Sequence, residues 1–131
     1  MVVVYFLYAT GAVVMFGFEK LDVWSKSMDL ADVVYRLTKD FPDYERFGLA
    51  NQMRRAAVSV SSNIAEGSSR ESKKDFARFI QLAFGSLMEI VSQLHIAQRQ
   101  GFIPKDEANK LYAQSKEISK MLSGLKRSLE Q

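Results

Sequence analysis

Cysteine is absent from this 131-residue chain, which excludes a disulfide framework, thiolate metal sites and any cysteine nucleophile. It also suits a reducing cytoplasm, the expected location. A single histidine, His95, leaves no histidine pair for zinc and no second imidazole around which a Ser-His-Asp set could form. No glycine-rich phosphate loop occurs. The Glu-x-x-His repeat of di-iron bundles is missing, and Glu66, Glu71, Asp75 and Glu89 are scattered. No catalytic residue, cofactor or metal is therefore expected, and the chain does not read as an enzyme. With only 2 prolines and 7 glycines, little interrupts long helices.

What is present is a globular balance: 47% hydrophobic and 25% charged residues, in a length that fits one domain. The net charge of +3 and a pI near 9.2 permit contact with nucleic acid or acidic partners without requiring it.

Val2 to Phe18 carry no charge; Glu19 and Lys20 are the first charged residues. No basic region precedes this run, so it is not a secretory signal. It falls just short of the roughly 20 residues a membrane helix needs, and Thr10, Gly11 and Gly17 dilute it. Its start, Val2-Val3-Val4-Tyr5, suits a strand as well as a helix. Met15 opens a conventional soluble start. Residues 1–17 are expected to be an over-extended start or a docking arm, with a membrane anchor the remaining alternative. Residues 18–131 form the domain proper.

Four helices follow from spacing and punctuation. The first is predicted from an N-cap at Asp22 to about Asp40, with Trp24, Met28, Ala31, Tyr35 and Thr38 as its inward seam. Leu30, Val34, Leu37 and Phe41 widen that face, and Pro42 ends the helix. The second covers about Phe47 to Glu66, with Leu49, Met53, Ala56, Val60 and Ile64 inward and many small residues elsewhere. Gly67 is predicted to close it in the left-handed conformation. Ser72 to Asp75 resembles a capping box at the head of the third helix. That helix runs to about Gln100 on the seam Phe76, Ile80, Ala83, Leu87, Ile90, Leu94 and Ala97, and Gly101 stops it. The fourth starts near Pro104 and uses Ala108, Leu111, Ser115, Ile118, Leu122, Leu125 and Leu129. Short connections between long helices predict an all-α, antiparallel up-down-up-down four-helix bundle.

The third helix carries a second apolar stripe, Phe84, Met88, Val91 and His95. A helix apolar on two sides wants burial on two sides, so these residues are predicted to form subunit contacts in a homo-oligomer. His95 on that stripe reads as a packed core or interface histidine.

The basic residues gather in three places. Arg54 and Arg55 are adjacent on the second helix; Arg70, Lys73, Lys74 and Arg78 cluster at the turn and the start of the third. Lys116, Lys120 and Arg127 share a face of the fourth, with Lys126 beside it. Brought together they could hold phosphates without reading sequence. The alternative is a solvated face with ion pairs, such as Arg55 with Glu66 or Glu117 with nearby lysines. No aromatics are interleaved as in a single-strand stacking platform.

Several segments carry a family resemblance. Phe18 to Trp24 (FEKLDVW), Arg46 to Leu49 (RFGL) and the ungapped Gln52 to Gly67 (QMRRAAVSVSSNIAEG) resemble the four-helix-bundle proteins encoded by intervening sequences in bacterial 23S rRNA genes. Ala83 to Glu89 and Met121 to Leu125 match as well, and residues 1–14 lie outside. The resemblance implies a ring-like homopentamer around a central channel, in a family labelled ribosomal-protein-like with no settled activity. It is also similar in architecture to the accessory protein of diversity-generating retroelements, a basic pentameric barrel that binds nucleic acid and a reverse transcriptase. Carried by position, Arg54, Arg55, Asn63, Glu66 and Gly67 are the family-typical polar and turn residues, with structural roles expected for Asn63, Glu66 and Gly67. Pro104 departs from the small N-cap residue common there. The leading functional expectation is a non-catalytic oligomer binding RNA or DNA through phosphates. A protein-assembly scaffold, a retroelement accessory-like role and a small-ligand or metal site inside the bundle are the alternatives.

Overall fold

The structure, a computed structural model, describes residues 5–7 and 12–131, with side chains from Met15 onward. Strands β1 (Tyr5–Leu7) and β2 (Ala12–Val14) pair antiparallel, Tyr5 opposite Val14 and Leu7 opposite Ala12. Of the start Val2 to Tyr5, which allowed strand or helix, Tyr5 lies in a strand and residues 2–4 lie outside the described residues. What residues 1–14 pack against falls on side chains outside the described residues. A 3-10 turn at Gly17–Lys20 leads into helices α1 (Asp22–Thr38), α2 (Leu49–Ser68), α3 (Lys73–Arg99) and α4 (Lys105–Leu129).

Each helix buries one stripe, and the stripes meet in one core. Leu30 and Val34 come from α1; Met53, Val60 and Ile64 from α2; Ile80, Leu87 and Ile90 from α3; Leu111, Ile118 and Leu122 from α4. Leu87 and Leu122 have no exposed surface at all. Backbone neighbours run α1 to α2, α2 to α3, α3 to α4 and α4 back to α1, and among the described residues no diagonal pair brings Cα atoms within 8 Å. That closed cycle is a four-helix bundle, with α2 and α3 packed most extensively and α1 and α4 least. Lys26 pairs with Glu117 and Arg36 with Glu107 along the α1–α4 seam. The Glu117 carboxylate, through its hydrogen bond and then its charge, raises the Lys26 pKa above the ordinary lysine value. Composition alone would let α3 cross a membrane, but its apolar seam is consumed by α2 and α4.

Four local expectations are corrected. On α1 the buried stripe is Val23, Ser27, Leu30, Val34 and Leu37, about one residue round from the predicted seam. Met28 and Tyr35 are exposed and Trp24 and Ala31 are only half-buried. Two stripes on α1 have the same spacing. In the buried stripe Ser27 returns its hydroxyl to the Val23 carbonyl at 2.7 Å, and Thr38, the one buried member of the predicted seam, does the same to the Val34 carbonyl, so neither is unpaired in the core. The α1 cap is also one residue off, since Leu21 is the N-cap and Asp22 sits in the first turn. Pro104 likewise is the N-cap of α4, and its carbonyl accepts from the Ala108 N–H at 2.9 Å.

The fourth correction is Gly67. It lies inside α2 with an ordinary helical φ, and Gly101 is the one glycine with positive φ among the described residues, at 76°. Gly67 is needed for space instead. A Cβ there would stand 2.6 Å from the Phe79 Cβ and 2.9 Å from the Phe76 Cδ1. Gly101 does what was expected of it: the Phe102 N–H reaches back to the Ala97 carbonyl and the Gly101 N–H to that of Gln98, a Schellman closure.

Candidate nucleic-acid interface

The turn from α2 to α3 is built by three local facts. Gly67 lets the last turn of α2 lie against Phe76 and Phe79 of α3. Ser72 caps α3, its Oγ accepting the Asp75 N–H at 3.0 Å. Asp75 does not complete the predicted capping box, because its carboxylate turns sideways to two arginines. Arg78 meets it at 2.9 Å and Arg70 at 3.7 Å. Both guanidinium groups lie over the buried Phe79 ring, at 4.5 Å and 4.6 Å from its centroid. Arg70 also approaches Glu66, at 3.8 Å.

These groups edge an open cleft of about 1390 Å³ between the turn and the end of α4. Arg70, Lys74, Arg78 and Lys126 line it, with Glu71, Asp75 and Glu130 among them. Four cations against three carboxylates leave a modest positive excess. Arg70, Arg78 and Lys126 are engaged in ion pairs, whereas Lys73 and Lys74 have none among the described residues. Lys74 faces the cleft and Lys73 is exposed beside it.

The remaining predicted cations lie elsewhere. Arg54 sits about 21 Å along α2 from the helix's end at Ser68, at 1.5 Å per residue. It is tied to α1: its Nε donates to the Thr38 Oγ1 at 2.8 Å and its guanidinium covers the Tyr35 ring at 5.1 Å. Arg55 is exposed on a polar groove of about 530 Å³ between α2 and α3, where Glu89 offsets its charge. Gln93 lines the same groove and its Oε1 is buried without a hydrogen-bond partner. Lys116 and Lys120 are exposed on α4 outside the cleft. The suggested Arg55–Glu66 pair does not form. Three helical turns, about 16 Å, separate them on one helix, and Glu66 reaches Arg70 one turn on. Glu117 pairs with Lys26 across the bundle rather than with its own helix's lysines.

Asn63 ties α2 to α3 indirectly. Its Nδ2 donates to the Ser59 carbonyl and hydroxyl, and Ser59 Oγ lies 2.8 Å from Ser86 Oγ. In the stripe predicted for subunit contact, Phe84 and Val91 are half-buried while Met88 and His95 are exposed. His95 stands edge-on to the exposed Tyr112 ring at 6.1 Å. Among the described residues, no group of three His, Asp or Glu could hold a metal ion.

Two residues central to this site went unread in the sequence. Phe79 lay off the α3 seam, and Asp75 was assigned to a cap. An aromatic one position after Arg78 and four before Ala83 carries no signal of a shared arginine floor until Gly67 is known to sit beside it.

Residues 19–124 match the family described as 23S rRNA-intervening sequence protein. Among solved structures the chain is similar to a protein of unknown function from the S23 ribosomal protein family of Bacteroides thetaiotaomicron VPI-5482. The two share 25% identity and superpose with a TM-score of 0.73, over 79% of this chain and 96% of that one. No curated protein matches.

Proposed function

This chain belongs to the 23S rRNA-intervening sequence protein family, and we propose that it is a non-catalytic, self-associating bundle that holds RNA or DNA by its phosphates at the α2–α3 end. The observation that carries this reading is the cleft itself. Arg70, Lys74, Arg78 and Lys126, from the α2–α3 turn, α3 and α4, face one open space, with Lys73 exposed next to Lys74 in the chain. Such contacts hold a backbone without reading bases. The test is fluorescence anisotropy of a labelled RNA hairpin and a DNA duplex titrated with the protein. Affinity should fall steeply between 50 and 200 mM salt, as about −0.9 in log–log slope per neutralised duplex phosphate requires. No binding at low salt ends the reading.

The same proposal includes assembly. The Lys26–Glu117 and Arg36–Glu107 pairs, and Ser59–Ser86 with Gly67–Phe79, run in opposite senses along their helices, which favours the up-down-up-down arrangement. The exposed Met88, His95 and Tyr112 along α3 and α4 offer surface to a second copy, in a ring-like homo-oligomer proposed as a pentamer. Light scattering that returns a stable monomer at micromolar concentration would refute this part. A cytoplasmic setting goes with it.

A second reading rests on a different face. Met28, Tyr35 and Val58 are each about two-fifths exposed along α1 and α2, a surface that suits another protein. A partner retained through high salt and nuclease treatment would favour this scaffold role.

A further inference from the structure

We infer that Asp75 is a built-in competitor for the phosphate diester. It occupies, in the free chain, the position between Arg70 and Arg78 that a backbone phosphate takes when nucleic acid is bound. The inference rests on the reading of the α2–α3 end as a phosphate-binding surface and adds what regulates it.

The geometry is that of an arginine pair already organised around an anion. Both guanidinium groups lie on one buried ring, Phe79, within 0.1 Å of the same centroid distance. Stacking on a ring leaves the in-plane N–H groups free to point at an oxyanion. Asp75 takes the Arg78 donors, Nε at 3.0 Å and Nη2 at 2.9 Å, on its Oδ1, while Arg70 Nε stands 3.7 Å from its Oδ2 as an ion pair without a hydrogen bond. The longer Arg70 contact leaves that guanidinium only loosely held. All three side chains are reachable, with Asp75 one-third exposed and Arg70 and Arg78 more so. An exchange of carboxylate for phosphate therefore needs no opening of the core.

The exchange is favoured by chemistry and opposed by charge. A phosphate diester, like a carboxylate, offers oxygens that accept two guanidinium forks, and Lys74 stands at the same cleft to add a further contact. Asp75, while it stays, repels the incoming phosphate and cancels one of the cleft's four cations. The cleft thus binds only where several phosphates arrive together, on a strand rather than as a free ion. Asp75 sets a threshold.

The test is Asp75→Asn, measured by anisotropy with the labelled RNA hairpin at 50 mM salt beside the wild type and Glu107→Gln. Asparagine keeps the size and removes the charge. Removing one negative charge at about 4 Å should raise affinity about fivefold, the factor such a charge exerts through water. Glu107→Gln removes the same charge at the other end of α4, beside Arg36, and should change affinity less than twofold. Circular dichroism checks that both variants fold. If Asp75→Asn binds equally well or less well than the wild type, Asp75 serves to position the arginines and the inference fails, while the phosphate reading stands. An equal gain in Glu107→Gln also overturns it, since net charge alone then explains the effect. If neither wild type nor Asp75→Asn binds, the phosphate reading itself has failed.

Discussion

The two ends of α2 treat their arginines in opposite ways. Near the N-terminal end, Arg54 is spent on the fold, held by Thr38 and the Tyr35 ring, and its neighbour Arg55 borders both a hollow shared with Arg54 and a groove shared with Glu89. Past the C-terminal end, Arg70 lies on Phe79 with Arg78 and borders an open cleft. Arg54 and Arg55 were grouped because they are adjacent in sequence. Arg54 and Arg55 border one hollow of about 580 Å³, but Thr38 and the Tyr35 ring already hold the Arg54 guanidinium. Residues eight apart, separated by a turn, meet on one ring instead. A site is made where the backbone brings charges to one surface, and here Gly67 does that.

Three substitutions separate the ends by stability, in descending order of effect. Leu87→Ala empties a fully buried position in the core that both ends share. It should cost about 2–5 kcal/mol in urea unfolding and weaken the two ends alike. Gly67→Ala touches only the cleft end, where the new methyl meets the rigid Cβ of Phe79. A cost of about 1–3 kcal/mol is expected, with loss of RNA affinity in protein that remains folded. Unchanged stability would mean that α2 and α3 can separate there freely. Thr38→Val touches only the other end, removing the acceptor for the Arg54 Nε and a hydroxyl bonded within α1. About 1 kcal/mol should be lost, with RNA affinity unchanged. A drop in affinity would move the interface toward Arg54.

Much of the fold was legible because a bundle writes its core as a repeat. Met53, Val60 and Ile64 on α2, Ile80 to Ala97 on α3 and Leu111, Ile118 and Leu122 on α4 were read from spacing and are buried. Helix α1 carries two stripes of equal period: Leu30, Val34, Leu37 and Phe41, named as its wider face, are buried, whereas Trp24, Met28 and Tyr35, named as its seam, are not. The bond from the Ser27 hydroxyl to the Val23 carbonyl lets a serine sit in the buried stripe, and spacing does not reveal it. Gly67 was read as a helix stop because a glycine near a helix end usually is one. Its true reason, the approach of Phe79, is a tertiary fact. The candidate site was half legible: Arg70, Lys73, Lys74 and Arg78 were grouped from sequence. The carboxylates that balance them and the ring beneath them became visible only once α2, α3 and α4 were placed together.

The salt dependence of RNA binding distinguishes the two ends most directly. With single-stranded RNA, the Lys73→Ala/Lys74→Ala double variant should flatten the log–log slope by about 1.4, at 0.7 per lost phosphate contact. Arg55→Ala should leave the slope where it is in the wild type. A slope flattened by Arg55→Ala and untouched by the lysine pair would contradict the assignment of the cleft as the phosphate-binding end.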